Sequence, residues 1–317
     1  MMTIRRVILL SLLAAVGGAP VGLRAQRAGV VLALPASARA AGAGDALSLA
    51  TGADALFYGA QNLPRERSVA ASAGTWLGNA QFATVAGSFP LGRNAVAGLG
   101  VQSLDYGSAD EYVSDPLTAG TRGIATGDQV GASETALAAA VQLRRGTMRH
   151  AVTVEYVHQQ VANLAASTVA FSWGFGIARR GWDLALGVQH GAGRMTLGAI
   201  TSTLVWTRRA ALRSSSVAVG GWQWAGVAEW RDVRGEGRAA LAGVEGTVAT
   251  HAGWQLTVRG AAVSQPAETA REPWTAGGSA ARGAWSLDYG YQGFGALGVV
   301  HRMGVTWRSR GPRSPSR

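Results

Sequence analysis

Residues 169–177 read Val-Ala-Phe-Ser-Trp-Gly-Phe-Gly-Ile. Successive side chains of an extended strand point to opposite faces. Val169, Phe171, Trp173, Phe175 and Ile177 therefore make one bulky apolar face, while Ala170, Ser172, Gly174 and Gly176 make a face of very small residues. A strand of a soluble sandwich sends its large apolar side chains inward and its polar ones to water. Here the second face is small instead of charged, which suits either a crowded interior or the lumen of a barrel.

The alternation recurs. Trp182, Leu184, Leu186 and Val188 oppose Asp183, Ala185, Gly187 and Gln189. Trp254, Leu256 and Val258 oppose Gln255, Thr257 and Arg259, and Trp285, Leu287, Tyr289 and Tyr291 oppose Ser286, Asp288 and Gln292. Related patterns run through residues 134–144, 152–159 and 222–231. Polar residues opposite apolar ones, repeated along the chain, lead to an all-β fold: a transmembrane antiparallel β-barrel whose bulky face is solvated by lipid. Strands are expected at 69–77, 80–88, 95–106, 132–144, 150–161, 167–178, 182–190, 196–206, 215–231, 238–248, 253–263, 274–281, 284–292 and 297–307. That is about fourteen, an even number, as in bacterial outer-membrane barrels.

Tryptophans gather near the ends of these faces, and Trp173, Trp182, Trp222, Trp230, Trp254 and Trp285 are the expected lipid-facing girdle. Trp222 and Trp230 stand eight residues apart, which is about 20 Å along the axis of a tilted strand and close to the height of a lipid-facing band. Indole combines an apolar body with one donor and so favours the headgroup level. If the first strand runs outward from the periplasm, short turns at 90–94, 144–149, 179–181, 208–214, 250–253 and 282–283 share one end. The longer connections, 107–131 and 264–273, share the other, the asymmetry typical of such barrels.

Residues 1–25 read as a cleaved secretory signal: Arg5 and Arg6, an apolar run over 7–16, and Ala25 at the cleavage position. That run is too short to cross a bilayer as a helix, which takes about 20 residues. Residues 26–67 are rich in Ala and Gly and not strand-like, and they suit either an N-terminal plug inside the barrel or a flexible leader. The barrel is expected over 68–307, followed by a basic tail over 308–317. The chain has a net charge of +11 with all its basic residues arginine. Export and the scatter of those arginines argue against a nucleic-acid partner. Without cysteine there is neither a disulfide framework nor a thiolate metal site.

No motif for catalysis or cofactor binding stands out. The five histidines lack metal-ligand spacing, and there is no G-x-S-x-G elbow or phosphate-cradling loop. His158 or His190 could serve a Ser-His site assembled from separate strands, although a strand histidine is more often structural. Asp105, Asp110, Glu111, Asp115 and Asp128 form an acidic cluster that suits a solvated outer loop, with calcium as the alternative. The polar set expected to line the lumen is Glu134, Glu155, Asp183, Gln189, Gln223, Glu229, Arg231, Gln255, Arg259, Asp288 and Arg302. Charges in a closed interior must be paired or wet. They line a polar path for a solute, or they form a lattice that holds the plug.

Both ends of the chain resemble the PorV/PorQ outer-membrane proteins, relatives of the FadL-type barrels. Arg39, Gly42, Gly44 and Ala46 match R-x-x-G-x-G-x-A, and Asp54, Ala55, Leu56 and Tyr58 match D-A-L-x-Y. Asp288 and Tyr289, then Leu297, Gly298, His301 and Arg302, match D-Y-x-Y and L-G-x-x-H-R. The resemblance implies a fourteen-stranded barrel with an N-terminal hatch, with Arg39, Gly42, Gly44, Asp54 and Tyr58 in it. It further implies a non-enzymatic accessory of type IX-like protein secretion or surface attachment. Its partners would be secretion-complex or exported proteins as well as outer-membrane lipid. The alternatives are a FadL-like channel for hydrophobic small molecules and a structural envelope barrel.

Overall fold

The computed structural model describes residues 28–309, except residues 50, 116, 118–121 and 265–270. The expected signal, residues 1–25, and the tail from residue 310 onward lie outside the described residues.

Strands β1 (Ser68–Thr75), β2 (Gln81–Pro90), β3 (Ala95–Ser114), β4 (Gly123–Arg145), β5 (Met148–Val161), β6 (Leu164–Arg179) and β7 (Trp182–Gly191) pair antiparallel in chain order. A small hairpin follows, β8 (Arg194–Leu197) with β9 (Ile200–Thr203). The wall resumes with β10 (Thr207–Ser214), which pairs with β7 on one side and with β12 (Trp222–Val233) on the other. Short β11 (Val217–Val219) lies along the start of β12. β13 (Gly237–Ala249), β14 (Trp254–Val263), β15 (Trp274–Arg282), β16 (Trp285–Gly293) and β17 (Val299–Arg308) complete the order. The pairing of β1 with β17, from Ser68↔Arg308 to Gly74↔Arg302, closes the cylinder at fourteen strands, β8, β9 and β11 not being staves. Closure leaves no sheet edge, the condition for strands to cross a bilayer.

The two faces are sorted as the alternation requires. On β5, Val152 and Val154 are 52% and 42% exposed while Thr153 and Glu155 between them are 3% and 1% exposed. Phe171, Leu137, Leu256 and Leu287 are likewise exposed, on the outer surface. The first and last strands place both ends of the barrel on one side, here called the near end. Its turns are short: 91–94, 146–147, 180–181, 250–253 and 283–284. Gly181 (φ 93°) and Gly283 (φ 63°) take the left-handed backbone that these tight turns need.

The structure corrects three boundaries. Residues 196–206, expected as the eighth strand, instead form most of the β8–β9 hairpin and the link after it. Leu204, and Met195 just before the stretch, turn inward at 3% and 2% exposed, while Ile200 in the hairpin is 50% exposed. The true eighth strand is β10, over residues read as the turn 208–214. Three arginines made that segment look like a turn, but Arg209 and Arg213 point inward to carboxylates of other strands. The turn lies instead at Gly220–Gly221 (φ 57° and 82°), so the ninth strand starts at Trp222, not at residue 215. The expected long loop over 107–131 is mostly ladder: β3 and β4 stay paired up to Ser114↔Gly123, with register shifts beside Asp105 and Asp110. Both faces of this extension are exposed, so the sequence alternation is lost where the pairing is not.

Residues 28–67 carry two short helices, α1 (Val30–Ala33) and α2 (Ala38–Gly42), and then single helical turns. Ala38, Ala40, Ala41, Ala53, Ala55 and Leu56 are all buried. This segment touches strands on every side of the cylinder, which only an interior position allows.

Candidate functional site inside the barrel

The interior segment is built around Asp54. Ser37, in extended conformation, caps α2 by accepting from the Ala40 N–H at 3.1 Å. Its hydroxyl donates to Asp54 at 2.6 Å, and the Tyr58 hydroxyl donates to the same oxygen at 3.0 Å. Burial, with Asp54 beside it, pushes the Tyr58 pKa well above its ordinary value, so the phenol stays a donor. Small residues bring backbone to backbone. A Cβ on Gly277 of β15 would lie 2.9 Å from the Gly42 Cα, and one on Gly42 would lie 2.7 Å from the Gly277 Cα. Gly44 has φ +67° and offers its carbonyl to Arg231 at 2.7 Å.

Charges on the wall grip this segment at several places, Arg144 donating to the Leu63 carbonyl at 2.7 Å and four further groups holding it elsewhere. First, Glu229 accepts from the Leu47 N–H at 2.6 Å and pairs with Arg209 at 2.7 Å and Arg231 at 2.6 Å. Arg209 also reaches Asp45 at 3.2 Å and Gln189 at 3.3 Å. Second, Arg39 pairs with Glu245 at 3.1 Å, and Glu245 is shared with Arg213 and Arg259, the latter continuing to Asp288 at 3.4 Å. Third, Glu134 accepts from the Val31 N–H at 2.8 Å, from Tyr106 at 3.0 Å and from Gln159 at 3.2 Å. Fourth, Arg302, wholly buried, donates to the Pro35 carbonyl with its guanidinium 4.0 Å from the Phe82 ring centroid.

Of the expected lumen set, Glu134, Gln189, Glu229, Arg231, Arg259, Asp288 and Arg302 thus belong to this network. Asp183 pairs instead with Arg149 on the wall. Glu155 is buried, takes a 3.4 Å bond from Ser172, and lies 3.6 Å from His190. Gln223 and Gln255 keep the inward alternation but sit exposed at the near end, outside the network: they start their strands, beyond the reach of the interior segment. The five interior positions Arg39, Gly42, Gly44, Asp54 and Tyr58 all lie in the contacts just described. Among the aromatic set, Trp173, Trp182, Trp230, Trp254 and Trp285 are exposed on the outer face, and Trp222 is half-buried and stacked on Trp224 at 5.6 Å between ring centroids.

Sequence reasoning missed Arg209, hidden in a misread turn. It also missed Glu245, whose alternation with exposed Val244 was the available signal.

The arrangement ties the interior segment to the wall. Ser172 accepts from the His190 backbone N–H and donates to Glu155, while the His190 Nδ1 faces the Val205 carbonyl and not the hydroxyl. His158 bonds Ser167 at 2.9 Å on the outer side, and Tyr156, not an acid, is the third member of that group. Among the described residues no group of three or more His, Asp or Glu could hold a metal ion. A narrow crevice separates Leu47 and residues 56–61 from Thr153, Ser172, Trp173, Gly174, Gly187 and Gln189.

No family model matches the sequence, nor does any curated protein. Solved structures do match. The CymD monoaromatic hydrocarbon channel superposes with a TM-score of 0.55 at 8% identity, covering 87% of this chain and 98% of that one. A Pseudomonas aeruginosa FadL homologue gives 0.53 at 11% identity, over 86% and 98%. The Ralstonia pickettii toluene transporter TbuX gives 0.51 at 10% identity, over 86% and 98%. The fold is that of the FadL-type outer-membrane barrels. At such identities the likeness is one of fold, and the narrower resemblance to PorV/PorQ proteins rests on the two terminal motifs alone.

Proposed function

We propose that the protein is an outer-membrane channel for small hydrophobic molecules, with residues 28–67 as a hatch that must shift to let them pass. The observation that carries this reading is an interior segment held to a closed wall by hydrogen bonds and ion pairs, in a fold shared with hydrocarbon channels. Polar links of this kind can exchange partners or water, and the buried apolar cluster that Leu56, Phe57 and Leu63 share with Val96, Ala138 and Ala140 would have to part along with them. Two of the neighbours are described as a monoaromatic hydrocarbon channel and a toluene transporter, which supports this reading better than a role in protein secretion.

The test exploits the absence of native cysteine. An ideal Cβ on Gly304 lies 3.5 Å from the Ala38 Cβ, within disulfide range. The double variant Ala38→Cys, Gly304→Cys is expected to block uptake of a monoaromatic hydrocarbon into proteoliposomes when oxidised and to regain it on reduction. Equal uptake in both states would exclude hatch movement. No uptake in the unmodified protein would exclude the channel.

A further inference from the structure

The near-end rim carries a row of side chains that the network inside the barrel does not use. In register across four successive strands stand Trp254 of β14, Arg282 of β15, Trp285 of β16 and Trp307 of β17. All four continue the outward alternation of their strands, with Leu256, Leu287 and Val305 two residues further along the same faces. Arg282 is therefore the cross-strand neighbour of an indole on each side. Its guanidinium lies 5.6 Å from the Trp254 ring centroid, and Trp285 is 59% exposed.

Among the described residues no carboxylate comes within ion-pair distance of Arg282. The nearest acid along its hairpin, Asp288, points inward and is taken by Arg259. The turns beside the row, 250–253 and 283–284, contain no acid. Among the described residues nothing neutralises this arginine, while the indoles beside it set its depth. Indoles on a lipid-facing surface settle at the headgroup level, so the guanidinium is presented at the height of lipid phosphates. A planar guanidinium suits a phosphate oxygen pair, and flanking indoles restrict its rotamers before any ligand arrives. The same pairing occurs once more on this rim, where Arg179 of β6 faces Trp182 of β7.

We infer that Trp254, Arg282, Trp285 and Trp307 form a binding site for the phosphate-bearing headgroup of an anionic phospholipid in the leaflet at the near end. The inference rests on the barrel spanning a membrane, not on its acting as a channel, so failure of the uptake experiment would leave it standing.

The full-length protein in detergent is titrated with short-chain phosphatidylglycerol, phosphatidylcholine or inorganic phosphate. Retained lipid is counted by native mass spectrometry and the indole environment is followed by fluorescence. Phosphatidylglycerol is expected to be retained over phosphatidylcholine, and Arg282→Gln to lower that preference by about tenfold, the scale of one charge-assisted bond. Arg282→Lys should keep part of the preference, and Trp285→Leu should weaken retention. Arg282 is exposed, so heat-modifiable gel migration should be unchanged in each variant. Equal retention of the two lipids, or an unaltered preference in Arg282→Gln, would overturn the inference. Displacement of the lipid by equimolar inorganic phosphate would overturn the assignment to a lipid.

Discussion

Glu229 joins the wall to the backbone of the interior segment directly. It compensates two guanidinium groups and caps a backbone N–H of the inner segment at once. Glu229→Ala leaves Arg209 and Arg231 facing each other with less counter-charge, and stripping one partner from a buried pair costs about 3–5 kcal/mol. The expected result is faster hydrogen exchange over residues 44–49 and a lower temperature for loss of heat-modifiable migration. Leu212→Ala, on the outer face, should change neither much. Half of this cluster was legible in the sequence. Glu229 and Arg231 alternate with Trp230 and so declared their face, but Arg209 stands beside Arg208 in a run that resembles a turn until its partners are known. Alternation reports which way a side chain points and is silent about which acid on a distant strand it meets.

Among the elements, α2 and β15 meet through glycine on both sides. Gly277→Val would push a branched side chain against the Gly42 backbone, where neither main chain can yield cheaply. β15 would still pair with β14 and β16, so the barrel should keep its gel mobility while residues 28–67 become open to limited proteolysis. Ala280→Val, three residues on and facing outward, is the matched control. Most strands could be read from period-two alternation, and the fold class with them. The exceptions share a cause. In the β8–β9 hairpin and in the extensions of β3 and β4, the two faces do not meet apolar lipid on one side and the interior on the other. A pattern produced by that contrast vanishes where the contrast does. The interior segment has no periodicity, and its small residues become intelligible only against the glycines of the wall.

At the level of the whole molecule, the ladder closes from β1 to β17 without help from residues 28–67. Deleting those residues should therefore leave a barrel that inserts into membranes and migrates in folded form. Its wall charges, freed from the segment, would be hydrated. The conductance of a planar bilayer to small ions should rise well above that of the intact protein. Loss of the folded gel form on deletion would mean that the segment is required to build the barrel.

The staves differ in height. β6 reaches back to Leu164, but β7 stops at Gly191, opposite Phe171, and β10 begins only at Thr207. The β8–β9 hairpin is wedged into the resulting notch, and a single bridge, Ala28↔Leu204, yokes it to the start of the interior chain. Along this notch the seal is side-chain packing instead of a continuous ladder, so it yields at lower cost than the rest of the wall. A tug on the inner chain is then passed straight to the patch beside it, so displacing that chain and loosening the flank would be one event.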